Sequence, residues 1–171
     1  MPLANVVKLI PTMTVTTPDG TNIFHFACHQ ATRYWLYEAA NGTPPPLGNY
    51  FSDTDSMLCI GPTMSALAKR GTVLRSAGDL SRQPSGTVLI FMGLAGDAKH
   101  LCVLDINGNI AGYIQIGWFW GGLSHTYTTH PKSAVKWQGG KQGGVILSDG
   151  KSGELRAVDE NTAIQFATEK F

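Results

Sequence analysis

The chain has 171 residues, of which 43% are hydrophobic and 15% charged, and a net charge of +1. A chain of this length and composition folds most simply as one domain, residues 1–171, with a real core. Near-neutrality without a basic stripe argues against nucleic-acid or anionic-membrane binding, and no apolar run of about 18 residues offers a membrane span.

In chain order, residues 1–27 read as loop, with short extended pieces around Asn5–Ile10 and Met13–Thr16 and a turn at Pro18-Asp19-Gly20. A helix is predicted from Cys28 to Ala40, because Ala31, Trp35 and Ala39 recur at a spacing of four. Asn41-Gly42 ends it, and the prolines of Thr43–Gly48 keep the following chain extended. A second helix is predicted over Pro62–Arg70, with proline in its first turn, a stripe of Met64, Leu67 and Ala68, and Gly71 as its stop. Thr87–Met92 reads as a strand buried on both faces. Leu101–Leu104 and Ile110–Ile116 flank Asn107-Gly108, a strong hairpin signal, and short strands follow at Val145–Leu147 and Leu155–Val158. Helix first and antiparallel sheet afterwards gives an α+β domain.

Cys28 is the residue with the clearest chemical promise. A thiol at a helix start faces unsatisfied N–H groups and the positive end of the macrodipole, and both favour the nucleophilic thiolate. His100 opens a later strand and supplies a base. If Asn107 and Gly108 are the two central turn residues, His100 lies directly opposite Gln115, Cys102 opposite Tyr113, and Leu104 opposite Ala111. Opposed side chains share a face at about 4.5–5.5 Å between Cβ atoms, so Gln115 becomes the group that orients the imidazole. A longer loop through Asp105–Asn109 would move that role to another residue. The Cys28 N–H and the side chain of Asn22, just upstream, are the candidate oxyanion donors. Cys59 and Cys102 sit in apolar stretches and read as structural. Three cysteines without a CxxC pair make no disulfide framework.

The order of these elements resembles the NlpC/P60 and related papain-like cysteine amidases. The elements concerned are the helix-opening Cys28, the strand Gly86-Thr87-Val88-Leu89-Ile90-Phe91, and His100-Leu101-Cys102-Val103-Leu104. The pattern covers residues 20–116. It is also similar in layout to type VI secretion amidase effectors. Where those amidases place a polar third residue after the histidine, this chain has Ala111; by position, Asn22 matches the oxyanion glutamine of papain. The resemblance implies a papain-like fold, with the helix bearing the cysteine packed on an antiparallel sheet. It further implies an amidase or endopeptidase acting on peptidoglycan stem peptides, bacterial antagonism as the context, and a cognate immunity protein as partner. No charged-then-apolar leader follows Met1, so an export route without a cleaved signal is expected, and cytoplasmic residence otherwise.

Other chemistries have weaker support. The same Cys–His parts suit a glutamine deamidase toxin acting on a host protein. Gly117-Trp118-Phe119-Trp120-Gly121 offers either an aromatic substrate wall at Trp118 and Trp120 or the contact surface of a non-enzymatic binding module. His25, Cys28, His29 and Cys59 fit no common zinc spacing, so neither metal nor other cofactor is expected. Gly150-Lys151-Ser152 lacks a phosphate-loop glycine at Val145, and neither GxSxG nor HExxH occurs.

Overall fold

A computed structural model describes residues 1–11, 13–17, 20–24, 26–46, 60–113, 127–139 and 144–171, with 13–17 and 20–24 described through their backbone. The chain runs α1 (Leu3–Val6), β1 (Met13–Thr17), β2 (Gly20–Phe24), α2 (Cys28–Asn41), α3 (Pro62–Leu67), β3 (Thr72–Leu74), α4 (Ala77–Ser81), β4 (Val88–Gly93), β5 (Ala98–Leu104), β6 (Ile110–Gly112), β7 (Thr128–His130), β8 (Val145–Ile146), β9 (Ser152–Val158) and α5 (Glu160–Lys170). The result is a mixed α+β architecture whose strand pairs are all antiparallel among the described residues.

Strands β1 and β2 form a separate two-stranded sheet, and seven strands form the main one in the order β3-β9-β4-β5-β6-β7, with β8 also on β9. The apolar run predicted at 87–92 becomes β4, which pairs with β5 on one side and β9 on the other and is buried along its whole length. Its alternation feeds two cores. Val88, Ile90 and Met92 join Leu101 and Val103 of β5 in one cluster with Ala31, Trp35 and Leu36 of α2 and Ala163, Phe166 and Ala167 of α5. Leu89 and Phe91 join Cys102, Leu104, Ile110 and Leu155 in the other. Period-two burial on both faces explains why these strands read as continuous hydrophobic runs.

Helix α2 ends as its sequence dictates. Gly42 takes a left-handed φ of 79° and its N–H donates to the Glu38 carbonyl. Trp35, fully buried, donates its indole N–H to the Lys8 carbonyl at 3.1 Å and so fastens the N-terminal segment to the helix.

The structure departs from expectation in three places. Asn5–Ile10 is not extended throughout: Leu3–Val6 is a helical turn buried against α2. The C-terminal helix α5, which the sheet-only second half left out, packs beside α2 on the same sheet face. The β5–β6 loop is longer by one residue than Asn107-Gly108 alone. Asp105 N–H donates to the Asn109 carbonyl at 2.8 Å, Gly108 N–H donates to the Asp105 carbonyl at 2.9 Å, and Gly108 has φ 77°. This is a three-residue loop closed by a left-handed glycine. Asp105 adds a carboxylate oxygen that accepts the N–H groups of both Asn107 and Asn109 at 2.9 Å. The extra loop residue shifts the register: Leu104 pairs with Ile110, not Ala111, and Val103 takes Ala111. A one-residue shift exchanges faces, so the pairing that pointed from His100 to Gln115 does not hold. Gln115 itself lies outside the described residues.

Candidate functional site at the start of the Cys28 helix

The site is built where α2 meets the middle of β5. Ala27 occupies the N-cap in an extended conformation, φ −83° and ψ 165°, and its side chain carries no oxygen to accept the first helical N–H groups. Gln30 instead reaches back, its Oε1 accepting the Ala27 N–H at 2.9 Å. Thr32 Oγ1 donates to the Cys28 carbonyl at 3.0 Å. Cys28, His29, Gln30, Thr32 and Arg33 are all buried, an unusual density of polar groups for one helix start. Farther along, Arg33 lays its guanidinium over the Phe171 ring at 4.9 Å, a cation–π contact that ties α2 to the end of α5.

Cys28 is buried, with 7% of the residue exposed. Burial pushes its thiol up to about 11, against the pull of hydrogen bonds from the backbone N–H groups of Leu101, His29 and Cys28 itself. The thiolate expected from the helix start is therefore corrected: desolvation outweighs the N–H groups, and the resting group is a thiol. Helix α2 packs on the face of β5 that carries Leu101 and Val103, whereas the His100 ring lies with Phe91 on the other face.

His100 is fully buried, and its ring lies 5.9 Å from that of Phe91, its partner on β4. A β-bulge immediately precedes it. Phe91 pairs with His100 but Met92 pairs with Ala98, leaving Lys99 as the extra residue. Bulges re-aim side chains and gather beside functional sites. Here the bulge puts Ala98 on the helix-facing core and His100 on the Phe91 face. Cys102, two residues on, shares the face of His100. Its thiol is pushed well up by burial and further by Cys28, which brings the Cys28 sulfur within electrostatic reach of that face.

The remaining predicted residues divide in two. Asn22 lies on β2 opposite Val15, upstream of Cys28, and only its backbone is described. Gln115, Trp118, Trp120 and Cys59 lie outside the described residues. In the proline run that follows α2, Pro44 lines a cleft of about 170 Å³ with Lys8, Leu9, Tyr34, Trp35 and Glu38, along the flank of α2 and not at Cys28. Two larger clefts, of about 320 and 620 Å³, flank the β4–β5 and β8–β9 turns, and neither is lined by Cys28 or His100. Among the described residues no group of three or more His, Cys, Asp or Glu is placed to hold a metal, and no helix is long and apolar enough to cross a membrane.

The bulge at Lys99 and the Gln30 bond are parts of the site that sequence reasoning missed. Only the last left a signal, a glutamine at the third helical position, where a capping box places Glu or Gln. Comparisons with family models, curated proteins and solved structures found no match.

Proposed function

We propose that the chain is a cysteine hydrolase of amide bonds with a papain-like arrangement, in which Cys28 is the nucleophile and His100 the base. The observation that carries this reading is a buried Cys28 opening α2, a helix packed against β5, the strand that holds His100. Because the resting group is a thiol, proton transfer to His100 accompanies attack on the carbonyl carbon and does not precede it. His100 then returns the proton to the leaving amine, and water resolves the thioester. The Cys28 N–H and Asn22 are assigned to the oxyanion, and Trp118 and Trp120 to the substrate wall.

The substrate assigned is the peptide stem of peptidoglycan, and the context an antagonism effector with a matching inhibitor protein. The test incubates wild type, Cys28→Ala and His100→Ala with purified peptidoglycan and reads newly released amines and fragment masses. Each variant is expected to lose activity by about 10³-fold or more while melting cooperatively. Near wild-type turnover in either variant sinks the mechanism. Ammonia release from glutamines of host proteins, with peptidoglycan untouched, moves the assignment to a deamidase. Inertness towards both substrates moves it to a binding module.

A further inference from the structure

We propose that the two clefts at the β4–β5 and β8–β9 turns form one groove that binds an extended peptide segment carrying an acidic residue beside an apolar one. The clefts, of about 320 and 620 Å³, share Gly93, Leu94 and Ser152 and so join at the β4–β5 turn. The smaller one opens where the sheet edge is interrupted. On the edge of β9 away from β4, Gly153 pairs with Val145 of β8 and Leu155 with Leu74 of β3, while Glu154 between them has no strand partner. Strand β3 leaves the sheet at this point, and the next residue, Arg75, lines the cleft with Glu154 and Gly144.

The walls leave backbone within reach of a ligand. Gly93, Gly96, Gly144 and Gly153 all line the smaller cleft. A Cβ on Gly144 would meet the Gly153 carbonyl oxygen at 2.7 Å, and Gly144 has a left-handed φ of 96°, so a side chain there is strained twice over. Bare glycine backbone admits the close approach of another chain. At the turn, the N–H groups of Leu94 and Ala95 donate to no other described residue and can take the carbonyls of an extended peptide.

Charge sets the direction of that peptide. In the smaller cleft Arg156 is held by Glu154 at 3.1 Å. Asp79, four residues beyond Arg75, accepts the Arg75 backbone N–H and the Arg82 guanidinium. Among the described residues the Arg75 guanidinium is left without a carboxylate partner. A guanidinium takes a carboxylate through two parallel N–H bonds. The larger cleft is balanced, with Asp97 and Asp149 against Lys99 and Lys151, and suits an uncharged stretch. Leu94, 76% exposed where the clefts join, supplies the apolar contact between the two.

The test titrates the protein with a fluorescent, terminally blocked hexapeptide that carries one glutamate beside one leucine among glycines and serines. Binding is expected at submillimolar peptide, with NMR shifts centred on the amides of Leu94, Ala95, Gly96, Ser152 and Gly153. Arg75→Gln should weaken it about tenfold, whereas Lys151→Gln, which removes the same charge from the balanced cleft, should change it less than about twofold. Leu94→Ser should cost about fivefold. These side chains are exposed, so each variant keeps the fold. Replacing the peptide's glutamate by glutamine should weaken wild type about tenfold and leave Arg75→Gln unmoved, because both changes remove one contact.

Equal losses from Arg75→Gln and Lys151→Gln mean diffuse charge attraction and overturn the proposal. So do shifts centred elsewhere, or no binding at millimolar peptide. Because Cys28 and His100 do not line the groove, none of these outcomes bears on the hydrolase reading.

Discussion

Two buried thiols, Cys28 and Cys102, sit within electrostatic reach of each other, and their surroundings differ in kind. Burial pushes both up. The Cys102 sulfur faces the Leu89 carbonyl at 3.9 Å, which can only accept from it, inside a cluster of aliphatic side chains. At Cys28 the backbone amides near Leu101, His29 and Cys28 itself pull the value down, against the larger push of burial. One environment favours the protonated form at every stage, and the other is arranged to receive charge once the proton has gone. The contrast shows that resting ionisation, set here by desolvation, is a poor guide to which thiol is built for chemistry. The identity of the facing backbone groups is a better one.

The widest split between the two is in turnover. Cys102→Ala should keep activity within about threefold at a cost of about 1–2 kcal/mol in stability, whereas adding His100→Ala to Cys28→Ala should be hardly worse than Cys28→Ala alone. Steady-state rates check both. A Cys102→Ala protein that melts cooperatively yet is inactive would erase the distinction.

A smaller effect is expected in alkaline solution. A thiol whose folded value is raised keeps its stability contribution below the unfolded value of 9.0 and loses it as pH rises through the folded value of about 11. For Cys28 the loss amounts to about 2–3 kcal/mol across that window. The urea midpoint should fall from pH 8 to pH 11 in wild type and fall less in Cys28→Ala. The buried Tyr34 and Tyr113 and the half-buried Tyr127, all raised by desolvation, supply a background slope common to both proteins. Equal slopes in the two proteins would mean that the Cys28 thiol is not held up by its site.

The smallest effect concerns the loop that sets the register beside Cys102. Gly108→Ala forces a side chain into φ 77° and should cost about 1 kcal/mol, with Cys28 alkylation unchanged. A changed Cys28 rate would couple the hairpin to the helix start more tightly than the described contacts do.

Much of the frame is legible in the sequence, for local reasons. Helix α2 carries a four-residue apolar spacing and a glycine stop, and both act as read. The Pro62–Arg70 helix forms as α3 plus a 3-10 turn at Ala68–Arg70, with Met64, Leu67 and Ala68 buried as its stripe predicts. Helix α5 is missed although Asp159 caps it and Ala163, Phe166 and Ala167 form its stripe. Its signals are weak because two of those three core residues are alanines. The register error has a different origin. Asn107-Gly108 fits a two-residue turn and a three-residue loop equally well, and the Asp105 carboxylate, by gathering two N–H groups, decides for the longer one. The site follows the same division. Cys28 and the strand of His100 can be found from local pattern, whereas the bulge at Lys99 that turns the His100 ring to the Phe91 face is backbone geometry that no side chain announces.

Strand β9 has a consequence for the order in which the molecule assembles. It is flanked by β4 on one edge and by β3 and β8 on the other, and its pairs with β3 and β4 join the segments most distant in sequence among the described pairs. The β4–β5 hairpin closes over a short loop and can form early, but until β9 arrives β4 presents an open, wholly apolar edge. Folding should therefore be slow for a chain of this length and should be gated by the last strand. A chain emerging from synthesis before β9 would be the form most prone to pair with its own copies.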